Sequence, residues 1–299
     1  PDALTGIIDE NGTRYATYRY DSSGRAYDED HGGAVDHYNL AYNTDSSGNP
    51  ISTVVTDPLG TSRTYNFTTI LGVVKSTGTN QPGGSGCAAA ASKVSYDPNG
   101  NVASRTDFNG NKVCYAYDLS RNLETARAEG LASSADCAAS LSATSLTPPA
   151  RKISTTWHST FRLPSVITEP GRKTNFTYDP STGNLLNKTI TDTATGATRS
   201  WTYTYTTTAD GTLAALLKTI NGPRTDVADI TTYAYYPNGD LKTITNALGH
   251  ITQITSYDPN GRPKTLVDPN NIVTTLTYKP RGWLESRTVA GETTTYGYD

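Results

Sequence analysis

Apolar and polar positions in this chain alternate with the two-residue rhythm of a half-buried strand. Ile272-Val273-Thr274-Thr275-Leu276-Thr277-Tyr278 and Thr232-Tyr233-Ala234-Tyr235 are runs of β-branched and aromatic residues, which fit a pleated surface with one side covered. Such runs stop at turn signals, as in Tyr257-Asp258-Pro259-Asn260-Gly261. Asp suits the first position of a turn and Pro presets φ at the second. Gly accepts the positive φ that closes a type I turn with a bulge. About ten residues later comes a second, weaker turn, Asn246-Ala247-Leu248-Gly249 or Asp268-Pro269-Asn270-Asn271. The predicted unit is therefore two strands and two turns, the meander of an antiparallel sheet.

The unit recurs. Tyr236, Tyr257, Tyr278 and Tyr298 open successive copies 21, 21 and 20 residues apart. Within them Gly239, Asp258, Gly261 and Gly282 hold the turn positions. Earlier copies start at Tyr96-Asp97 with Gly100, at Tyr117-Asp118, and at Tyr178-Asp179 with Gly183, while Trp157 fills a tyrosine slot in a degenerate copy. Near the start, Tyr20 and Tyr42 carry the same signal. A fixed period of this size marks a repeat architecture. The expected fold class is all-β: antiparallel hairpins of about 20–21 residues strung into a spiralling, solenoid-like strip. Residues 1–299 read as one array, with loop insertions near 72–93, 130–151 and 206–230. The first holds a flexible tract, Ser76 to Gly86, and the third a short helical turn near Leu213 to Leu217. Equivalent tyrosines of successive repeats lie two strands apart, about 9.6 Å, too far to stack directly. Leu241, Leu266 and Leu284 are the residues available between them.

Composition sharpens this picture. Hydrophobic residues make up 35% of the chain, too few for a deep core and enough for strands that share a thin one. Twenty Tyr against four Phe point to half-exposed aromatics with a wet hydroxyl end. About one residue in six is Thr, again a strand former. The formal charge of −3 is spread out, with Lys and Arg scattered along strands, so the clustered basic footprint of a nucleic-acid binder is missing. No apolar run reaches the roughly 18 residues of a membrane span. The chain has no methionine, begins Pro1-Asp2 and stops at Tyr298-Asp299 inside a motif, and so reads as a piece of something longer. Three cysteines cannot all pair internally. A Cys87–Cys137 staple between two insertions and three unpaired thiols are the two readings left open.

Tyr96-Asp97-Pro98-Asn99-Gly100-Asn101 and Tyr257-Asp258-Pro259-Asn260-Gly261-Arg262, with Asp/Asn-x-x-Gly turns between them, resemble the bacterial RHS, or YD, repeat. The same repeat type builds the shells of Tc-toxin cocoons and of animal teneurins. The resemblance covers essentially the whole chain and is strongest over 94–125 and 230–299. It implies a β-ribbon spiralling into a hollow shell, secreted or on the bacterial cell surface. Its implied partners are the rest of the same polypeptide, namely a closing core segment and a C-terminal toxin effector. The family's core segment and self-cleavage site are not seen in this sequence; Asp57-Pro58-Leu59-Gly60 reads as a turn.

Catalytic signatures are absent: no Gly-x-Ser-x-Gly elbow, Walker loop, Gly-x-Gly-x-x-Gly or His-Glu-x-x-His occurs. Most Asp residues sit at turn position i, where they bond backbone, so no catalytic residue and no cofactor is assigned. Asp28, Asp30 and His31 are candidate divalent-metal ligands, against the plainer reading of a solvated acidic loop. Tyr96, Tyr117, Tyr178, Tyr257 and Tyr278 are read as thin core, with an exposed glycan-binding row as the alternative. The leading function is a non-enzymatic structural shell segment. Its rivals are a cell-surface carbohydrate-binding or adhesion module and a carbohydrate-active enzyme on a β-helix. Unpaired sheet edges add self-association as an expected property.

Overall fold

The computed structural model describes residues 3–298. Among them the chain is antiparallel β-sheet throughout, interrupted by one short α-helix, Cys137–Ser142, and a 3₁₀ turn, Thr208–Asp210. It folds into two compact units, Pro1–Thr155 and Thr156–Asp299. In the first, eight strands from Gly6–Ile8 to Ala90–Ala91 pair in chain order. A second run of strands follows at Lys93–Tyr96, Val102–Thr106, Asn111–Asp118 and Leu123–Ala132. In the second unit the strands from Pro164–Glu169 to Glu292–Thr295 likewise pair each with the next, and the strip is not closed into a barrel.

Register divides the second unit's strip into two chemically different sides. On one, Tyr203 faces Ile220, Tyr233 faces Ile244, and Leu276 faces Arg287. On the other, Thr204 faces Thr219, Thr219 faces Thr232, and Thr275 faces Thr288. Because side chains alternate with period two, one threonine in register commits a whole row to that side. Hydroxyls there bond across strands: Thr204 to Thr219 at 2.6 Å, Thr277 to Ser286 at 2.7 Å and Thr288 to Thr293 at 2.8 Å. Such pairs stabilise a sheet by roughly 0.2–1 kcal/mol each.

A bulge recurs two residues beyond each tyrosine corner. Tyr235 pairs with Leu241 but Ala234 with Thr243; Tyr257 pairs with Pro263 but Ser256 with Thr265; Tyr278 pairs with Leu284 but Thr277 with Ser286. The residues left over, Lys242, Lys264 and Glu285, bend and twist the strand locally.

The insertions depart from expectation. The 72–93 segment is largely ordered sheet: Val73–Gln81 is a full strand paired to Ser62–Ile70, so the flexible reading of Ser76 to Gly86 fails over its first half. Ser76 to Gln81 are small and polar, and a strand with two partners tolerates that composition where propensity alone does not. In 130–151 the helix is N-capped by Asp136, whose Oδ1 accepts from Ala139 N at 2.7 Å. Its first residue, Cys137, forms a disulfide with Cys114, while Cys87 is free and exposed. Both cysteine expectations are thereby corrected. Cys114, fully buried on its strand, packs with Ala128 and Leu131 beneath Leu141, Leu146 and Ala150 of the insertion. That cluster is the nearest thing to a conventional core. In the third insertion the helical turn lies at 208–210. Leu213 to Leu217 is not helical: Ala215 takes φ 65°, and Leu217 opens a strand.

Candidate functional site

The most repeated construction is the corner itself. At Asp258 the backbone N–H donates to Arg262 O at 2.9 Å, and Gly261 N–H donates to Asp258 O at 3.0 Å. Asp258 Oδ1 accepts from the N–H groups of Asn260 (2.9 Å) and Arg262 (3.0 Å), and Oδ2 accepts from Arg262 Nε at 2.6 Å. Gly261 sits at φ +77°, a conformation an L side chain rarely adopts. Asp97 repeats the pattern with Asn99 and Asn101, and Gly100 N–H donates to its carbonyl at 2.9 Å. Asp179 uses a longer loop: its Oδ1 takes the N–H and hydroxyl of both Ser181 and Thr182, and Gly183 N–H closes onto its carbonyl at 2.9 Å. These donors, led by the Ser181 hydroxyl, lower the Asp179 pKa to about 2. Asp118 accepts from Ser120, with Asn122 at φ 50° where other corners place glycine.

The tyrosine does something composition could not show. Tyr257 OH donates to Leu241 O at 2.6 Å, Tyr278 OH to Pro263 O at 2.8 Å, and Tyr178 OH to Pro164 O at 2.8 Å. Tyr96 OH reaches Ser76 O at 2.6 Å. In the second-unit corners the acceptor is the carbonyl that opens the preceding strand of the sheet, just where the ladder spreads at the bulge. The hydroxyl expected to be wet is thus spent on backbone, which an unpaired carbonyl would otherwise leave short of a partner. Tyr117 is half-buried, and burial pushes its pKa up. A cation from the previous repeat covers several of these rings: Arg262 stands 4.7 Å from the Tyr278 centroid and Arg25 5.0 Å from that of Tyr42.

One assignment shifts by a residue. Tyr235, not Tyr236, occupies the hydroxyl slot, donating to Leu217 O at 2.6 Å. Tyr236 sits where other corners have Asp: its N–H donates to Asp240 O, and Gly239 N–H donates to Tyr236 O. Its ring meets Tyr257 edge-on at 6.5 Å, and its hydroxyl turns the other way, to Ile254 O. Lys279 takes the Asp place before Gly282.

Asp28, Asp30 and His31 lie on the strand Ala26–His31, not in a solvated loop. Arg19 on the facing strand ion-pairs with both carboxylates, and His37 Nε2 lies 2.6 Å from Asp28. His31 stacks on Tyr15 at 5.1 Å. A carboxylate pair that already shares a guanidinium is a poor cation site, and no group of three metal-ligating side chains is gathered among the described residues.

Charge is segregated as well. On the second unit's strands the charges with a ladder partner, Glu169, Arg172, Lys188, Asp192, Arg199, Arg287 and Glu292, share the tyrosine side. Of the charges with a ladder partner among the described residues, Lys173 alone stands on the threonine side, and the bulge residue Glu285 accepts from Thr277 Oγ1 at 3.5 Å. The tyrosine side also carries an open groove of about 540 Å³ between the Asp179 corner and the third insertion.

The architecture defines a class: an antiparallel strip of tyrosine-cornered hairpins whose interior is shared only between neighbours. It is the RHS, or YD, repeat fold. A crystal structure of TcdB2-TccC3-Cdc42 matches with TM-score 0.59 at 13% identity, over 94% of this chain and 14% of that one. A structure of TcdB2-TccC3 without its hypervariable C-terminal region matches with TM-score 0.52 at 13% identity, over 97% of this chain and 14% of that one. Likeness at this identity is likeness of fold, to the RHS shell of a Tc toxin. The chain spans about one seventh of those proteins. Neither a family model nor a curated protein sequence matches it.

Proposed function

We propose that this chain is a structural, non-enzymatic wall segment of an RHS-type shell. In this reading the wall is secreted or displayed on a bacterial surface and encloses or presents an effector carried by the same polypeptide. The observation that carries it is the two-sided strip: tyrosine corners, cations and carboxylates on one side, paired hydroxyls and amides on the other. Hydroxyls already bonded to each other across strands offer few free donors and almost no fixed charge. A surface of that kind binds an enclosed chain weakly and does not sort it by charge. The threonine side is accordingly assigned to the compartment. The Cys114–Cys137 disulfide supports an oxidising destination.

Single-cysteine labelling of the longer polypeptide tests this. Thr275→Cys should be protected from a membrane-impermeant maleimide in the assembled protein and labelled once the shell is opened by denaturant. Lys242→Cys should label in both states. Equal labelling of the two positions in the assembled protein removes the wall assignment.

A further inference from the structure

The strand Thr198–Tyr205 outruns its neighbour Leu217–Asn221, and the difference leaves an open edge inside the second unit. On one flank it pairs with Leu185–Asp192 from Thr198 onward. On the other, pairing starts only where Thr202 meets Asn221. The neighbouring chain leaves the ladder there: Gly222 N–H donates to Asp229 O at 2.7 Å, and Arg224 pairs with Asp226 within the same loop. Thr198, Arg199 and Ser200 are exposed, and among the described residues their backbone makes no hydrogen bond on the outer flank.

The side chains beside this edge are those of a cationic groove. Arg199 and Trp201 stand on the tyrosine side, where with Ile190 and Arg172 they line an open groove of about 400 Å³. Its carboxylates are engaged close to home. Glu169 accepts from Arg172 Nε at 2.8 Å, and Asp192 Oδ1 accepts the N–H groups of Ala194 and Thr195 at 2.8 and 2.9 Å. Arg199 has no carboxylate partner among the described residues, nor does Lys188, whose ammonium lies 5.3 Å from the Trp201 ring centroid. By contrast, the lining of the groove at Tyr203, beside the Asp179 corner, holds no cation.

Unpaired backbone groups next to free cations and an indole suit one kind of guest. An extended chain laid along the edge gains main-chain ladder bonds, and every second side chain turns toward the groove. The side chain directly opposite Arg199 meets a guanidinium, and the one two positions away meets the Trp201 ring. A second copy of the same edge would set Arg199 against like charge, and a nucleic acid has no amide backbone to extend the ladder. We propose that the edge Thr198–Trp201 receives an extended acidic segment of a partner protein by strand addition, with a carboxylate on Arg199 and an apolar side chain against Trp201. The assignment goes beyond the wall function and does not depend on it.

The test is calorimetric titration and amide NMR of the purified chain with a blocked heptapeptide, Thr-Glu-Thr-Val-Thr-Glu-Thr. The expected result is saturable binding below about 1 mM, with amide shifts centred on residues 198–201 and weakening as salt is raised. Arg199→Glu, at an exposed position that leaves the ladder intact, should weaken it by about tenfold or more, as like charges then face each other. Arg287→Glu, on the same side of the strip but away from the edge, should leave it unchanged and so controls for net charge. The peptide with Lys in place of Glu, and the acidic peptide N-methylated throughout, should not bind. The assignment is overturned by no binding at that concentration, by affinity that survives Arg199→Glu, or by equal binding of the Lys or N-methylated peptide. Equal binding of an oligothymidylate, or self-association of the chain that Arg199→Glu abolishes while no peptide binds, would overturn it too.

Discussion

At the scale of the residue, this protein spends its side chains on its own backbone. A corner aspartate accepts two to four donors and a corner tyrosine donates to a neighbouring carbonyl, so both are bound to local geometry. Removing one phenol tests this. Tyr257→Phe leaves Leu241 O without its donor and should cost about 1 kcal/mol, within the range for a neutral hydrogen bond. Tyr203→Phe, at a hydroxyl with no hydrogen-bond partner among the described residues, should be silent; urea midpoints compare the two. The aspartates add a pH signature. The Ser181 hydroxyl and the backbone donors at 181–182 hold Asp179 at about 2 against an ordinary 3.8. The Asn49 and Asn111 side chains, with backbone help, lower Asp45 and Asp107. A carboxylate whose folded pKa is depressed contributes stability that is present above the unfolded pKa and lost as pH falls through the folded one. Stability should therefore hold above pH 4 and decline from there toward pH 2. Asp179→Asn, which keeps an acceptor without the charge, should flatten that decline; an unchanged acid limb in unfolding curves would assign it to other groups.

At the scale of the element, hairpins were legible and insertions were not, for one physical reason. A turn such as Tyr257 to Arg262 is specified by six adjacent residues, so spacing alone locates it. Tyr235 and Tyr236 show the limit of that logic: with two tyrosines before Pro-Asn-Gly, only the strand register decides which one faces Leu217, and register is a property of the neighbour. The Cys114–Cys137 pair lies further out of reach. It depends on Leu131, Leu141 and Leu146 gathering over a buried strand position, which no local pattern announces. The groove at Tyr203 has the same origin, since the insertion that walls it carries no motif. The disulfide closes a sequence separation of 23 residues, for which chain-entropy arguments give about 3 kcal/mol. Replacing both cysteines with Ala should lower the melting temperature and expose residues 133–150 to protease, with the sheet's far-UV circular dichroism retained. Thiol titration of the unreduced, denatured chain should count one thiol, that of Cys87.

At the scale of the molecule, a strip whose strands touch only their neighbours has no centre to lose. Six apolar residues among those described are buried outright, and four of them, Cys114, Leu123, Ala128 and Leu131, fall on two adjacent strands. Stability is then close to a sum of hairpin terms and nearest-neighbour interfaces, as in other repeat arrays. In the second unit each interface joins one corner to the next through a phenol–carbonyl bond and, at Arg262, a guanidinium that holds its own aspartate while covering the Tyr278 ring. Cutting such a chain back by one hairpin should remove one interface and leave the others. A variant ending at residue 278 would lose the last full hairpin and should unfold at modestly lower urea, with the disulfide-bearing region untouched. A second deletion, back to residue 257, should lower the midpoint by a similar step. Hydrogen exchange gives the finer reading: amides of Asn111–Asp118 should keep their protection through both truncations, while those of the newly exposed edge strand lose theirs. A collapse of protection throughout the chain on the first deletion would mean that the array folds around a common core, and the neighbour-by-neighbour account of its stability would fall.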